Sequence, residues 1–129
     1  MKSIYGLGSD IANINRMKSI LKRNKSFKKR IFSSSEIYLC EKKKNSHSCF
    51  AKRFAAKEAF SKALGTGISD GISFNEIIIL NEKNGKPIIK LLNKTKKIVE
   101  KRIKKKKYKI SLSIADEKNY AVAFVAISI

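Results

Sequence analysis

The chain predicts an α+β domain with a largely antiparallel sheet packed against helices, and three observations lead there. Residues 74–80 and 87–92, and again residues 108–114 and 120–127, are β-rich pairs joined by short polar turns, the pattern of two hairpins. Residues 49–64 run without Gly or Pro through Ala, Phe, Lys and Glu, the composition of a long helix. The elements follow in the order β-α-α-α-β-β-α-β-β, which fits helices segregated on an antiparallel sheet. A chain of 129 residues is one domain, 1–129, and its 43% of hydrophobic residues can build a core.

Each element has a local reason. Residues 3–7 are β-formers that end in Gly6 and Gly8, read as a tight turn that carries Asp10. From residue 13 to 23, Ile14, Met17, Ile20 and Leu21 recur at helical spacing, with Arg16, Lys18, Lys22 and Arg23 elsewhere on the wheel, so this helix has one dry face and one basic face. A second basic stretch, residues 25–32, carries no element signal. Ser33 stands three residues before Glu36, the reciprocal cap that starts a helix running to about Glu41. Residues 42–48 read as a polar loop. The long helix ends at Gly65-Thr66-Gly67, and Ser69-Asp70-Gly71 continues a loop. Asn84-Gly85 supplies the first hairpin's turn, and Pro87 suits the start of its second strand. Residues 95–103 form another basic helix, with Thr95, Ile98, Val99 and Ile103 on one stripe, ending in the lysine run 104–107.

Thirty Lys and Arg against ten Asp and Glu give a formal charge of +20, which points to a polyanionic partner without saying which. A Lys-, Ile- and Asn-rich composition of the kind an A+T-biased genome produces accounts for the same excess. No apolar run is long enough to span a bilayer and residues 1–10 lack a signal-peptide core, so a soluble cytoplasmic protein with no membrane partner is expected. Cys40 and Cys49 have no metal-ligand spacing and read as buried thiols rather than a disulfide. His47 lies in a polar loop and reads as solvent-exposed.

Projected at about 100° per residue, Ala55, Ala56, Ala59, Phe60, Ala63 and Leu64 share one arc of the long helix, and Lys57, Glu58, Ser61 and Lys62 the other, where Phe54 intrudes. An alanine-rich arc packs closely and holds the opposite face rigidly. Glu58 between lysines is either a metal ligand with cationic neighbours or half of ordinary i, i+4 ion pairs. Asp10 is either a second site carboxylate or a helix N-cap. Gly6-x-Gly8 is no dinucleotide fingerprint, because position 11 is Ile, and no Gly-Lys-Ser/Thr phosphate loop is present.

These residues also carry a resemblance. Gly6-Leu7-Gly8-Ser9-Asp10-Ile11 followed by Arg16, then Phe32-Ser33-Ser34-Ser35-Glu36, then the block from Arg53-Phe54-Ala55-Ala56-Lys57-Glu58 through Lys62 to Gly65-Thr66-Gly67, and Gly85-Lys86-Pro87 together resemble the holo-acyl-carrier-protein synthases, 4'-phosphopantetheinyl transferases. The resemblance implies Mg²⁺-dependent transfer of the 4'-phosphopantetheine arm from coenzyme A to a serine of apo acyl carrier protein, in support of fatty acid biosynthesis. It implies Asp10 and Glu58 as metal ligands and, with Lys62, as catalytic residues. Arg53, Lys57, Lys62, Gly65 and Thr66 are then expected on coenzyme A, and Arg16, with Lys22 and Arg23, at the acidic carrier. It further implies a homotrimer whose neighbouring subunit completes the coenzyme A pocket. Where many members carry Ser-x-Ser-His, this chain reads Ser111-Leu112-Ser113-Ile114-Ala115-Asp116, so the general base stays unassigned. A nucleic-acid-binding protein using residues 18–30 and 94–109 explains the charge but not the block from Arg53 to Gly67, and no specific nucleic-acid partner is expected. A catalytically silent interaction module is the third reading.

Overall fold

Strand β1 (Ile4–Asn13) pairs antiparallel with β5 (Tyr120–Ser128), which pairs on its other side with β4 (Lys109–Asp116), so β5 is the middle strand of a three-stranded sheet. The structure is a computed structural model and describes residues 3–66, 71–105 and 107–129. The expectations on Gly67, Ser69, Asp70 and Lys106 lie outside the described residues. Alternation sorts the two faces of the sheet. Ala121, Ala123, Val125 and Ile127 of β5 are buried, whereas Leu7, Ile11, Tyr120 and Phe124 are exposed on the other side.

Helix α4 (Ser46–Leu64) lies across the buried face and is the centre of the molecule. It starts three residues before the expected Cys49, which shortens the expected loop. Small residues set how closely it packs. A Cβ on Gly6 would lie 1.8 Å from the Ala63 carbonyl oxygen, and one on Gly8 would lie 1.9 Å from that of Ala59. The expected turn after residue 7 is therefore a continuing strand. Gly6 and Gly8 serve close approach of a helix to a strand rather than a reversal of the chain, and neither has a positive φ.

Three helices lie between β1 and α4. The basic helix α1 (Ile14–Arg23) is capped by Asn13, whose Oδ1 accepts the Arg16 N–H at 2.9 Å; Asp10 is not the cap. Helix α2 (Lys25–Ile31) was not expected, although Asn24 caps it by accepting from the Phe27 N–H. Helix α3 (Ser34–Glu41) begins with the expected reciprocal cap between Ser33 and Glu36. Cys40 and Cys49 are buried as expected but are joined in a disulfide. The short connection from α3 to α4 brings their Cα atoms to 5.4 Å, which corrects the expectation of free thiols. His47 is half-buried rather than exposed.

A one-turn 3₁₀ helix (Phe74–Glu76) leads into the hairpin of β2 (Ile77–Asn81) and β3 (Pro87–Leu91). Its turn differs from a two-residue Asn-Gly reversal. The Gly85 N–H donates to the Glu82 carbonyl at 2.8 Å, and only Gly85 of the turn has positive φ, giving a longer turn closed by a left-handed glycine. Helix α5 (Asn93–Ile103) follows and buries Thr95, Val99 and Ile103.

Candidate active site

The contact between β1 and α4 brings Asp10, Glu58 and Lys62 together. The strand runs against the helix, so Gly6 lies at Ala63 and Gly8 at Ala59. Two residues of strand advance about 6.7 Å and four of helix about 6 Å, so the match persists for another step and Asp10 arrives beside the turn that carries Glu58. Lys62 closes the group by donating from Nζ to Asp10 Oδ1 at 3.1 Å and to the Ser9 carbonyl at 3.0 Å. The Asp10 side chain is 17% exposed and that of Lys62 is 53% exposed, so the carboxylate is sheltered and the ammonium faces solvent.

The electrostatics of the group favour a cation. Partial burial pushes the Glu58 carboxyl above its ordinary value, the neighbouring Asp10 charge pushes it further, and Lys62 opposes both. Among the described residues no group of three or more His, Cys, Asp or Glu side chains is arranged to hold a metal ion. Two carboxylates that repel each other suit Mg²⁺, which is held by one or two carboxylates and takes its other positions from water and substrate phosphate. Asp10 and Glu58 are the residues that fit it.

Arg53 and Lys57 have separate fates. Arg53 is 6% exposed and lines a cleft of about 630 Å³ with Lys43, Lys52, Gly85, Pro87 and Asp116. Its Nη1 donates to Cys49 Sγ at 3.1 Å, its Nε is buried without a partner, and burial lowers its pKa against the pull of Glu36. Glu58 stands five positions after Arg53, which puts them about 140° apart around α4, so this cleft and the carboxylate pair occupy different sides of the helix. Lys57 does not reach a ligand. Its Nζ is fully buried and donates to Glu36 Oε1 at 2.7 Å, to the Phe74 carbonyl at 2.8 Å and to the Ile77 carbonyl at 2.6 Å, which uses all three protons. Glu36 in turn accepts the Ile79 N–H at 3.0 Å. The pair ties α3, α4 and β2 together, and the expected contact of Lys57 with an anionic cofactor is corrected to this structural role.

Gly65 ends α4 in the left-handed conformation, with φ of 89°, and its N–H and that of Thr66 return to the Ser61 carbonyl. Arg16, Lys22 and Arg23 are all exposed on α1. Arg16 and Arg23, one heptad apart, share a face. Lys22 turns toward a cleft lined by Lys18, Lys28, His47 and Phe50. One feature went unread. Phe27, Ile31, Phe54 and Phe74 line an apolar cleft of about 520 Å³ with Glu58 among its walls. The available signal was Phe54 standing on the polar arc of α4.

The profile of the 4'-phosphopantetheinyl transferase superfamily matches residues 6–125. The chain belongs to that superfamily. Similar transferases include a protein of Pelagibacter ubique named holo-[acyl-carrier-protein] synthase, 51% identical over 95% of this chain and 94% of its own. One of Ruthia magnifica with the same name is 50% identical over 95% and 94%. Among solved structures, the holo-[acyl-carrier-protein] synthase of Neisseria meningitidis superposes with a TM-score of 0.85 at 34% identity, covering 98% of this chain and all of the other. That of Helicobacter pylori, in complex with coenzyme A, gives 0.80 at 36% identity over 95% and 99%.

Proposed function

We propose that this chain transfers the 4'-phosphopantetheine arm of coenzyme A to a serine hydroxyl of an apo acyl carrier protein, releasing adenosine 3',5'-bisphosphate. It thereby supplies holo carrier for fatty acid biosynthesis in the cytoplasm. The observation that carries the reading is the meeting of Asp10, Glu58 and Lys62 at one strand–helix contact, two repelling carboxylates with an ammonium at their rim. Relatives at half identity named as this synthase, and a neighbour bound to coenzyme A, support it.

In the reaction the serine oxygen forms a bond to the pyrophosphate phosphorus nearer the pantetheine arm. The bond from that phosphorus to the bridging oxygen breaks, and its electron pair leaves on the phosphate of adenosine 3',5'-bisphosphate. Mg²⁺, when held by Asp10 and Glu58, supplies positive charge to the pyrophosphate oxygens. Lys62 reaches the same oxygens from the solvent side and offsets charge on the leaving phosphate or gives it a proton. The serine proton passes to Asp10 or to water, since residues 111–116 carry no histidine. Positioning and charge carry most of such a reaction.

Arg53, buried with a free Nε in a cleft rimmed by Lys43 and Lys52, is suited to an anionic group of coenzyme A. Gly65 and Thr66 are assigned to the pyrophosphate end, and Arg16, with Lys22 and Arg23, to the acidic carrier. The carboxylate pair and the Arg53 cleft lie on different sides of α4, so one coenzyme A uses the pair of one subunit and the Arg53 cleft of the next. A homotrimer provides that arrangement, and the outer sheet face, with Leu7 70%, Ile11 62% and Phe124 56% exposed, supplies apolar surface for it. The test follows release of adenosine 3',5'-bisphosphate from coenzyme A with apo carrier and Mg²⁺. Release that requires the carrier and stops with a chelator is the expected result. No release by folded protein with a competent carrier overturns the reading.

A further inference from the structure

The end of α4 poses an electrostatic problem for the proposed site. A helix C-terminus carries unpaired carbonyl oxygens and roughly half a negative charge, which repels a phosphate. Yet Lys62, Gly65 and Thr66, the residues assigned above to the pyrophosphate end of coenzyme A, lie in or just after the last turn of α4. Among the described residues there, the Gly65 and Thr66 N–H groups are both turned back onto the Ser61 carbonyl.

Arg102 reaches this end from α5. Its Nε–H donates to the Leu64 carbonyl at 3.1 Å and its Nη2–H to the Gly65 carbonyl at 3.2 Å. One planar fork thus takes two consecutive terminal carbonyls. Glycine suits position 65 because its φ is 89°, and a Cβ there would come to 3.4 Å from Nη2, an ordinary contact. The contact is partly exposed, and exposed contacts of this kind add little to stability. Its main consequence is local. It engages the Leu64 and Gly65 carbonyls and so pins the turn that follows Lys62.

We propose that Arg102 is a positioning residue for coenzyme A, which holds the Leu64–Gly65 turn at the C-terminus of α4. The inference rests on the assignment of Gly65 and Thr66 to the coenzyme A site. Two variants separate its parts: Arg102→Gln keeps hydrogen-bond donors and loses the charge, and Arg102→Lys keeps the charge and loses the fork.

The experiment measures coenzyme A binding by calorimetry, KM for coenzyme A and for carrier, amide hydrogen exchange at Gly65 and Thr66, and the thermal midpoint. The expected result is about tenfold weaker coenzyme A binding for Arg102→Gln and about threefold for Arg102→Lys, from loss of charge-assisted hydrogen bonds. Exchange at Gly65 and Thr66 rises in both variants, and KM for carrier stays at the wild-type value. Coenzyme A binding by Arg102→Gln equal to that of the wild type overturns the inference. Weakened binding with unchanged exchange also overturns it, because Arg102 then acts on the ligand directly. Wild-type protein that binds no coenzyme A overturns the reading of the site instead, and that result is seen before any variant is compared.

Discussion

Gly8→Ala tests whether the fold sets the geometry of the site. The added Cβ would meet the Ala59 carbonyl oxygen at 1.9 Å and the Ala63 nitrogen at 2.7 Å, and both are backbone atoms of a buried helix that no rotamer change can move aside. Restoring ordinary contact requires α4 and β1 to separate by about 1.5 Å. Overpacking of this kind costs about 1–3 kcal/mol, and the upper end applies because the clash is with main chain on both sides. Asp10 rides on the strand while Glu58 and Lys62 ride on the helix, so the separation opens the site directly. A displacement of about 1 Å costs on the order of 10²-fold in rate. Urea denaturation gives the stability and steady-state transfer gives kcat/KM. A loss of about 2–3 kcal/mol with a fall of about 10²-fold is expected. Wild-type stability and wild-type kcat/KM together would refute the claim that β1 and α4 touch backbone to backbone at this point.

The remaining predictions concern charge. Lys57→Met leaves Glu36 buried without its partner and costs about 3–5 kcal/mol, whereas Lys57→Met combined with Glu36→Leu recovers only the part due to the uncompensated charge, because the Phe74 and Ile77 carbonyls and the Ile79 N–H stay unpaired; urea midpoints of the three proteins decide this. The Glu58 carboxyl is held above its ordinary value, so between that value and the raised one the folded state binds more protons than the unfolded state, and its contribution to stability falls as pH rises through the window. In metal-free protein, Asp10→Asn removes the like charge, lowers the Glu58 pKa in a carboxyl NMR titration and flattens that pH dependence; an unmoved Glu58 titration contradicts the pairing. Arg16→Ala raises KM for the carrier by about tenfold and leaves KM for coenzyme A unchanged, as expected for a contact made only with the acidic partner. Equal effects on both would remove Arg16 from the docking face.

What could be read from the residues was whatever is encoded locally. The reciprocal cap of Ser33 and Glu36 and the left-handed glycine at the end of α4 need no partner to be recognised, and both stand as expected. Gly6 and Gly8 were misread because their function is set by Ala59 and Ala63, more than fifty residues away, and nothing near them announces a helix lying on the strand. Lys57 was misread for a similar reason. A helical wheel sorts polar from apolar residues, but it cannot show that the Phe74–Ile77 segment and Glu36 will cover one lysine and leave Lys62 in solvent. Helix α2 had a legible cap in Asn24 and apolar residues Phe27 and Ile31 one turn apart, hidden within a basic stretch that reads as loop. Asp10 and Glu58 were candidates from their local setting, each with an ordinary alternative that the resemblance set aside, and the packing of β1 on α4 supplies the physical reason they meet.

The most direct test of the account is intact-mass measurement of apo acyl carrier protein incubated with coenzyme A and Mg²⁺, comparing wild-type protein with Glu58→Gln. The substitution keeps the volume of residue 58 and removes one charge from the pair. The account predicts that the wild type adds one phosphopantetheine arm to the carrier in a reaction abolished by chelation. It predicts that Glu58→Gln, folded to the same thermal midpoint or a higher one because the repulsion from Asp10 is gone, adds little or none at the same Mg²⁺ concentration. Modification of the carrier by Glu58→Gln at the wild-type rate, with the same dependence on Mg²⁺, would contradict it.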